Sequence, residues 1–324
     1  MKTVLLNKKT SVVLKPIAPY NFDATVHKPS HFPTPDHIWE KGKYWQTTRI
    51  QGKILGFKLE NRGTIKNPEI KVSLFSKNSL APETKQKAIE KISYQFGFNE
   101  DLREFYEKFK RDKVLAPFFK RFLGMRVNSG EVGLYTMLMV YIVLQNATVR
   151  RTVQMMNALL GKYGKKVGFD KKEIYVFWTP EILDRASEED LRNLKVGYRA
   201  KFLKRISSDF VQGKINEEAI KGLPKKEAQK ELLKLYGIGP ASVGYLLFEV
   251  CHHYDVFEII PPWEQKILSR LIYNKPLVPT KKILKDIENR WDGWKRLAIH
   301  YIWEDIFWKR KTQKIDWLEK EIRL

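Results

Sequence analysis

The chain has 324 residues, 43% hydrophobic and 13% aromatic, which suffices for one large core or two domains and excludes a disordered chain. No apolar run reaches the roughly 18 residues of a membrane span, the N-terminus MKTVLLNKKT lacks a signal-peptide pattern, and a lone cysteine, Cys251, excludes an intramolecular disulfide. Lys+Arg number 60 against 37 Asp+Glu, a formal charge of +23 that points to a polyanionic partner, nucleic acid first.

Residues 1–75 alternate apolar and polar side chains between turn residues. TSVVLKP, YWQTTRIQGKILGFKLENRG and EIKVSLF predict antiparallel strands, with QGKILG a turn leading into one of them. From Pro82 onward the period changes to about 3.6. Helices are predicted over ETKQKAIEKISYQF, DLREFYEKFKRD, LYTMLMVYIVLQ, TVRRTVQMMNALLGKYG, SEEDLRNL, YRAKFLKRISSDFVQG and KKEAQKELLKL. They continue through PASVGYLLFEVCHHY, PWEQKILSRLIY, TKKILKDIENRW and WKRLAIHYIWEDIFWKRK. The expected fold class is α+β: a small antiparallel β domain over 1–80, then a large all-helical domain over 81–324. No fixed-period repeat and no low-complexity tail is present.

The stretch LLKLYGIGPASVGYLLFEV places Gly237 and Gly239 between two apolar runs. Gly237 can take the positive φ that ends a helix, Ile238 is an apolar plug, and Pro240 suits the first turn of the next helix. Gly239 leaves the backbone bare. Amide groups at such a turn can bind a phosphate oxygen. The pattern resembles a helix-hairpin-helix motif, here spanning 226–254, which grips the DNA backbone without reading sequence.

Three further segments resemble the helix-hairpin-helix DNA glycosylases. They are YIVLQNATVRRTVQMMNALLGKYG, LKVGYRAKFLKRIS and GWKRLAIHYIWEDIFW, and the N-terminal strands are similar to the sheet domain of the 3-methyladenine and 8-oxoguanine branch. The resemblance covers roughly 1–310. It implies an enzyme that bends duplex DNA and flips a damaged base into a pocket. It implies that Asn146, with Gln145 beside it, fills the gap left in the duplex, and that Tyr198 wedges the opposite strand. Arg151 and Arg199 would meet phosphates or the orphaned base. The plainer readings are a helix N-cap for Asn146 and a half-buried core aromatic for Tyr198.

The pattern breaks at the catalytic position. Within DVFEIIPPWEQKILSRL the family's Asp falls at Pro261, and the hairpin position of the lyase branch's Lys is Ala241. Schiff-base chemistry by that route is not expected. Three alternatives stand: Glu264, one helical turn after Pro261 and on the same face, supplies the carboxylate; Glu258 or Asp255 supplies it; or the protein binds distorted DNA without cutting it. Glu264 also has a plainer reading, as a first-turn carboxylate favoured by the helix dipole.

An alkylated purine is cationic and already a good leaving group, so electron-rich aromatics could hold it. Trp263, Trp294, Tyr301 and Trp303 are candidates for that wall, with core packing as their plainer reading. The positions that meet the base in 8-oxoguanine enzymes are similar to Arg296 and His300 here, which favours alkylated or deaminated bases. His252 and His253 point about 100° apart on a helix and do not suggest a shared metal. No metal and no cofactor is expected. The sequence therefore predicts a base-excision DNA glycosylase, monofunctional and monomeric, whose partner is double-stranded DNA with a damaged base. It would work in the cytoplasm at the nucleoid, or in a nucleus. A non-enzymatic lesion-binding protein and an 8-oxoguanine glycosylase/lyase with a displaced residue are the rivals.

Overall fold

The computed structural model describes residues 3–128 and 133–322. The N-terminal third carries β1 (Val4–Leu5), β2 (Lys8–Leu14), α1 (Phe22–Val26), β3 (His37–Glu40), β4 (Lys43–Ile50), β5 (Lys53–Asn61) and β6 (Ile70–Ser76). Strands β2 to β6 form an antiparallel sheet in the order β2-β6-β5-β4-β3. The turn between β4 and β5 uses Gln51 at φ +49 and Gly52 at φ +76, at the place QGKILG predicts. Helix α1 and strand β3 have no counterpart in the sequence reading.

Both faces of this sheet are covered. Tyr44, Phe57, Leu59, Val72 and Leu74 pack on one side against Ala88, Ile92, Phe96 and Phe98. The first two of that set lie on α2 (Pro82–Gln95), so α2 packs on the sheet although it follows residue 80. On the other side Trp45 and Phe75 meet Leu6, Val167, Phe169, Ile174 and Val176. The last four belong to a hairpin, β7 (Lys165–Phe169) and β8 (Lys172–Val176), inserted among the helices. Strand β1 pairs with β7 in parallel, Val4 opposite Val167. A β-carbon at Gly56 would lie 2.6 Å from the Phe169 ring, so glycine lets the hairpin lie close on the sheet.

The remaining helices are α3 (Arg103–Phe109), α4 (Ala116–Phe122), α5 (Leu134–Leu144), α6 (Val149–Tyr163), α7 (Pro180–Arg185), α8 (Glu188–Asn193), α9 (Arg199–Val211) and α10 (Glu217–Lys221). They are followed by α11 (Lys225–Leu233), α12 (Pro240–Glu249), α13 (Pro262–Tyr273), α14 (Thr280–Trp291), α15 (Lys295–Arg310) and α16 (Asp316–Glu321). One continuous core runs through α3 to α15, and Leu318 of α16 packs in a smaller cluster with Ile267, Ile306 and Phe307. Helix α5 is buried along almost its whole length, which explains its largely apolar sequence. Among the described residues no helix is long and apolar enough to cross a membrane. Arg126 joins the two halves: its buried guanidinium donates to the carbonyls of Ile17, Pro19, Glu100 and Gly124 at 2.9–3.1 Å.

Candidate functional site

The predicted residues fall into two clusters. The first is built on the hairpin. Helix α11 ends at Leu233, and the chain passes through Gly237 at φ +84 to Pro240, the first residue of α12. A β-carbon on Gly237 would lie 2.7 Å from the Phe202 ring, so conformation and space both require glycine. Ile238 is buried beneath the turn, as a plug should be. Gly239 differs. It caps α12 from an extended conformation, and an added β-carbon would meet nothing within 4 Å. The N-terminus of α12 is therefore unshielded on that side and presents amides that no helical carbonyl satisfies.

Gln145 ends α5, and its side-chain amide donates to the Gly237 carbonyl at 2.6 Å. Asn146 follows, exposed at φ +48, and its amide donates to the Tyr198 hydroxyl at 3.2 Å. The cap of α6 is Thr148, which accepts from the Arg151 amide, so Asn146 is not a helix cap. Tyr198 is 43% exposed at the start of α9 and meets Phe202 edge-on at 5.7 Å. Arg199 is buried. Its guanidinium lies 4.8 Å from the centre of the Tyr198 ring and donates to the carbonyls of Gln145 and Val196. Arg151 donates to the Lys195 carbonyl. The hairpin turn, residues 145–146 and the start of α9 thus form one hydrogen-bonded ridge with Asn146 and Tyr198 at its crest. Arg199 braces the ridge from behind and does not stand on its surface.

The second cluster is internal. Pro261 precedes α13, and Glu264 sits in its first turn, 2% exposed. One Glu264 oxygen accepts from the Tyr245 hydroxyl at 3.0 Å and the other from Arg296 at 3.1 Å. The Arg296 guanidinium lies 4.1 Å from the Tyr245 ring centre, with Phe257 at 5.5 Å. Burial alone would lower the Arg296 pKa, but Glu264 and Tyr245 outweigh it and hold it above the usual guanidinium range. A buried carboxylate is tolerated when paired and hydrogen-bonded in this way, and a helix N-terminus favours its charge. One turn beyond Arg296, His300 meets Phe248 edge-on at 5.3 Å, and burial holds it far below the ordinary imidazole range.

The other carboxylates have different surroundings. Asp255 binds Lys295 at 3.1 Å, the Gly293 amide at 3.1 Å and Lys225 at 3.5 Å, which fixes the start of α15. Glu258 is exposed and accepts from Gln229 at 3.1 Å. Of the three candidates, Glu264 is the buried one held by Tyr245 and Arg296.

The aromatic wall divides. Trp294 stacks on Tyr254 at 5.7 Å and leans on Phe105 at 5.5 Å. Tyr301 is fully buried and donates to the Met125 carbonyl at 2.8 Å. Trp263, 41% exposed, meets Trp303 at 5.5 Å, and Trp303 packs on Phe307 at 5.3 Å. Arg296, His300 and Glu304 recur every four residues along one stripe of α15, and Trp303, seven residues after Arg296, lies on the same side, whereas Trp294 and Tyr301 fall outside it.

The structure adds residues that the sequence reading missed. Tyr141 on α5 stacks on Tyr245 at 5.7 Å, and its hydroxyl donates to Glu249 at 2.5 Å. Glu249 closes α12 with His31 at 3.8 Å, and burial pushes its carboxyl up to about 7. Glu304, bonded to Ser30, is likewise pushed up to about 7 by burial. Lys28 donates to the carbonyls of Ala24 and Arg126, and burial lowers it to about 8. A lone Glu in the apolar run YLLFEVC was a usable signal for Glu249.

Comparisons with known proteins bear on this geometry. A family model described as HhH-GPD superfamily base excision DNA repair protein matches residues 139–321, which include the ridge, Glu264 and α15. The chain is 24% identical over 245 residues to the DNA-3-methyladenine glycosylase of Bacillus subtilis (strain 168), covering 75% of this chain and 80% of that protein. In fold it is similar to the 3-methyladenine DNA-glycosylase from Archaeoglobus fulgidus, with TM-score 0.76 and 17% identity over 94% of this chain and 99% of that one. It is also similar to the apo 8-oxoguanine glycosylase/lyase of Clostridium acetobutylicum, with TM-score 0.68 and 22% identity over 94% and 99% of the two chains.

Proposed function

The chain belongs to the HhH-GPD superfamily of base excision DNA repair proteins and is a DNA glycosylase; on that premise we propose that it is monofunctional, works as a monomer on alkylated purines in duplex DNA, and uses Glu264 for the hydrolysis. The observation that carries this reading is the Glu264 arrangement: a buried carboxylate in the first turn of α13, fixed by Tyr245 and Arg296.

The α12 N-terminus holds a backbone phosphate, and the ridge of Asn146 and Tyr198 occupies the space of the extruded nucleotide. The C1′–N bond then breaks, and its electron pair leaves with the base. Glu264 faces the positive charge that develops at C1′ and orients the water that captures it, taking up the proton the water releases. A carboxylate already held by two partners needs no reorganisation when that charge appears. An N3- or N7-alkylated base departs as a neutral molecule, so the leaving group needs no acid. Ala241, exposed in the hairpin, offers no amine to C1′, which supports hydrolysis without strand cleavage. The Bacillus subtilis relative, a DNA-3-methyladenine glycosylase, supports the same substrate class.

Incubation with methylated duplex DNA should release free 3-methyladenine, and borohydride should trap no protein–DNA adduct. A trapped adduct would favour the lyase reading. No release from alkylated, deaminated or oxidised DNA would overturn the enzymatic reading for a lesion-binding one.

A further inference from the structure

Behind the Glu264 pair lies a set of ionisable groups that hydrolysis does not use. Glu249 is at its centre. It ends α12 one turn beyond Tyr245, and its side chain retains 12% exposure where Glu264 retains 2%. Each Glu264 oxygen already accepts one hydrogen bond and keeps a lone pair for the water. In Glu249, one oxygen accepts from Tyr141 at 2.5 Å, while the other has, as its one ion-pair contact among the described residues, His31 at 3.8 Å. Glu249 therefore has an oxygen left for a ligand.

We propose that Glu249 determines base specificity, its carboxylate supplying the negative charge that selects a cationic alkylated purine over a neutral base. The inference rests on the glycosylase reading above.

Charge balance supports it. Four elements face Glu249. Helix α5 contributes Tyr141, and the segment after α1 contributes Lys28 and His31. Helix α15 contributes Arg296, His300 and Glu304, and Tyr245 lies on α12 itself. Burial holds His300 neutral, and burial together with Lys28 does the same for His31. Arg296 and Lys28 are then the two cations, against Glu249, Glu264 and Glu304. With every carboxylate ionised, one negative charge is left over. On its own the cluster relieves it by retaining a proton, and burial raises Glu249 and Glu304 toward neutrality in keeping with this. A cationic base relieves it by taking the proton's place. A neutral base cannot.

The chemistry also fits the geometry. Tyr141 stacks on Tyr245 and donates to Glu249, so the hydroxyl at the edge of an aromatic pair orients the carboxylate. Electron-rich rings and a carboxylate together favour a flat cation.

The test measures binding without relying on turnover. Two duplexes carry a 2′-fluorinated nucleotide, which resists glycosidic cleavage, with 7-methylguanine in one and guanine in the other. Wild-type protein should bind the methylated duplex about tenfold more tightly. Glu249→Gln keeps shape and the bond from Tyr141 but removes charge. It should bring that ratio to within about twofold of unity and leave affinity for the guanine duplex unchanged. Glu249→Asp should restore part of the preference. A ratio that survives in Glu249→Gln, or that is absent from the wild type, overturns the proposal, as does an equal loss on both duplexes. Wild-type protein that shows the preference yet releases no base would instead defeat the enzymatic reading and leave this one standing.

Discussion

The Gln145 side chain donates to the Gly237 carbonyl at 2.6 Å, joining the loop that carries Asn146 to the hairpin turn. A phosphate gripped at α12 would therefore fix where Asn146 stands relative to the duplex. Gln145→Ala breaks this link and leaves the hairpin and α5 in place. A single hydrogen bond is worth about 1 kcal/mol, so affinity for duplex with an abasic-site analogue should fall about fivefold, by fluorescence anisotropy. The melting temperature should move little. Unchanged affinity would mean that the two parts act independently.

The two hairpin glycines should separate fold from binding. Gly237 sits at φ +84 with the Phe202 ring in the path of any β-carbon, so Gly237→Ala should lower the melting temperature by several degrees. Gly239 has open space there, so Gly239→Val should fold. It should nonetheless weaken binding to damaged and undamaged duplex alike, because the side chain stands where a phosphate must approach. Wild-type affinity in folded Gly239→Val would remove the turn from the DNA interface. Binding by the wild type should fall steeply with salt, as counterion release requires.

Asn146 and Tyr198 share a hydrogen bond at the crest of the ridge. Asn146→Ala and Tyr198→Ala should each lose roughly tenfold affinity for abasic or lesion duplex and little for undamaged duplex, since only a flipped nucleotide leaves a hole to fill. Equal losses on both would make them ordinary contacts.

These parts were legible because their signals are local. Gly237 needs positive φ, Pro240 starts a helix, and Glu264 lies one turn past a helix-opening proline. The β7–β8 hairpin was not legible. Its partners, β1 and the outer sheet face, are more than 90 residues away in the chain, and KKVGFDKKEIYVF has no helix-like period to contrast with its neighbours. Lys28 and His31 were hidden for the same reason, since they meet Glu249 and Glu304 only when the N-terminal segment packs against α12 and α15. Tyr301 illustrates the opposite error. Aromatic content suggested a pocket wall, but the phase of α15 turns Tyr301 to Phe105 and Phe119 and brings Arg296 to Tyr245 and His300 to Phe248.

Burial raises the folded-state pKa of Glu249 and Glu304 from about 4.5 to about 7. Between those values the unfolded chain has released protons that the folded chain keeps, so these groups make stability fall as pH rises through that window. Glu249→Gln removes part of the slope. Its melting temperature relative to wild type should therefore be higher at pH 8 than at pH 5. Release of 3-methyladenine by the wild type should rise from pH 6 to pH 8, as Glu249 ionises, and Glu249→Gln should flatten that rise. A stability difference independent of pH would mean that Glu249 is ionised throughout.

Glu264→Gln tests the hydrolytic role directly. Glutamine keeps the shape and can still accept from Tyr245, but it cannot balance Arg296. The buried guanidinium then loses its only salt-bridge partner among the described residues, and removing one member of a buried pair commonly costs about 3–5 kcal/mol. The variant should therefore melt well below the wild type, and rates must be compared at a temperature where both are folded. Under single-turnover conditions base release should fall by about 10²–10³, the usual worth of a preorganised charge at a developing cation. The lower end applies to 3-methyladenine, whose positive charge already weakens the glycosidic bond. Affinity for the abasic duplex should stay close to wild type, because the ridge and hairpin do not use Glu264. Release at the wild-type rate by folded Glu264→Gln would remove Glu264 from the mechanism. Asp255 would then be the weaker successor, since its contacts with Lys225, Gly293 and Lys295 hold it at the start of α15, and exposed Glu258 would be weaker still.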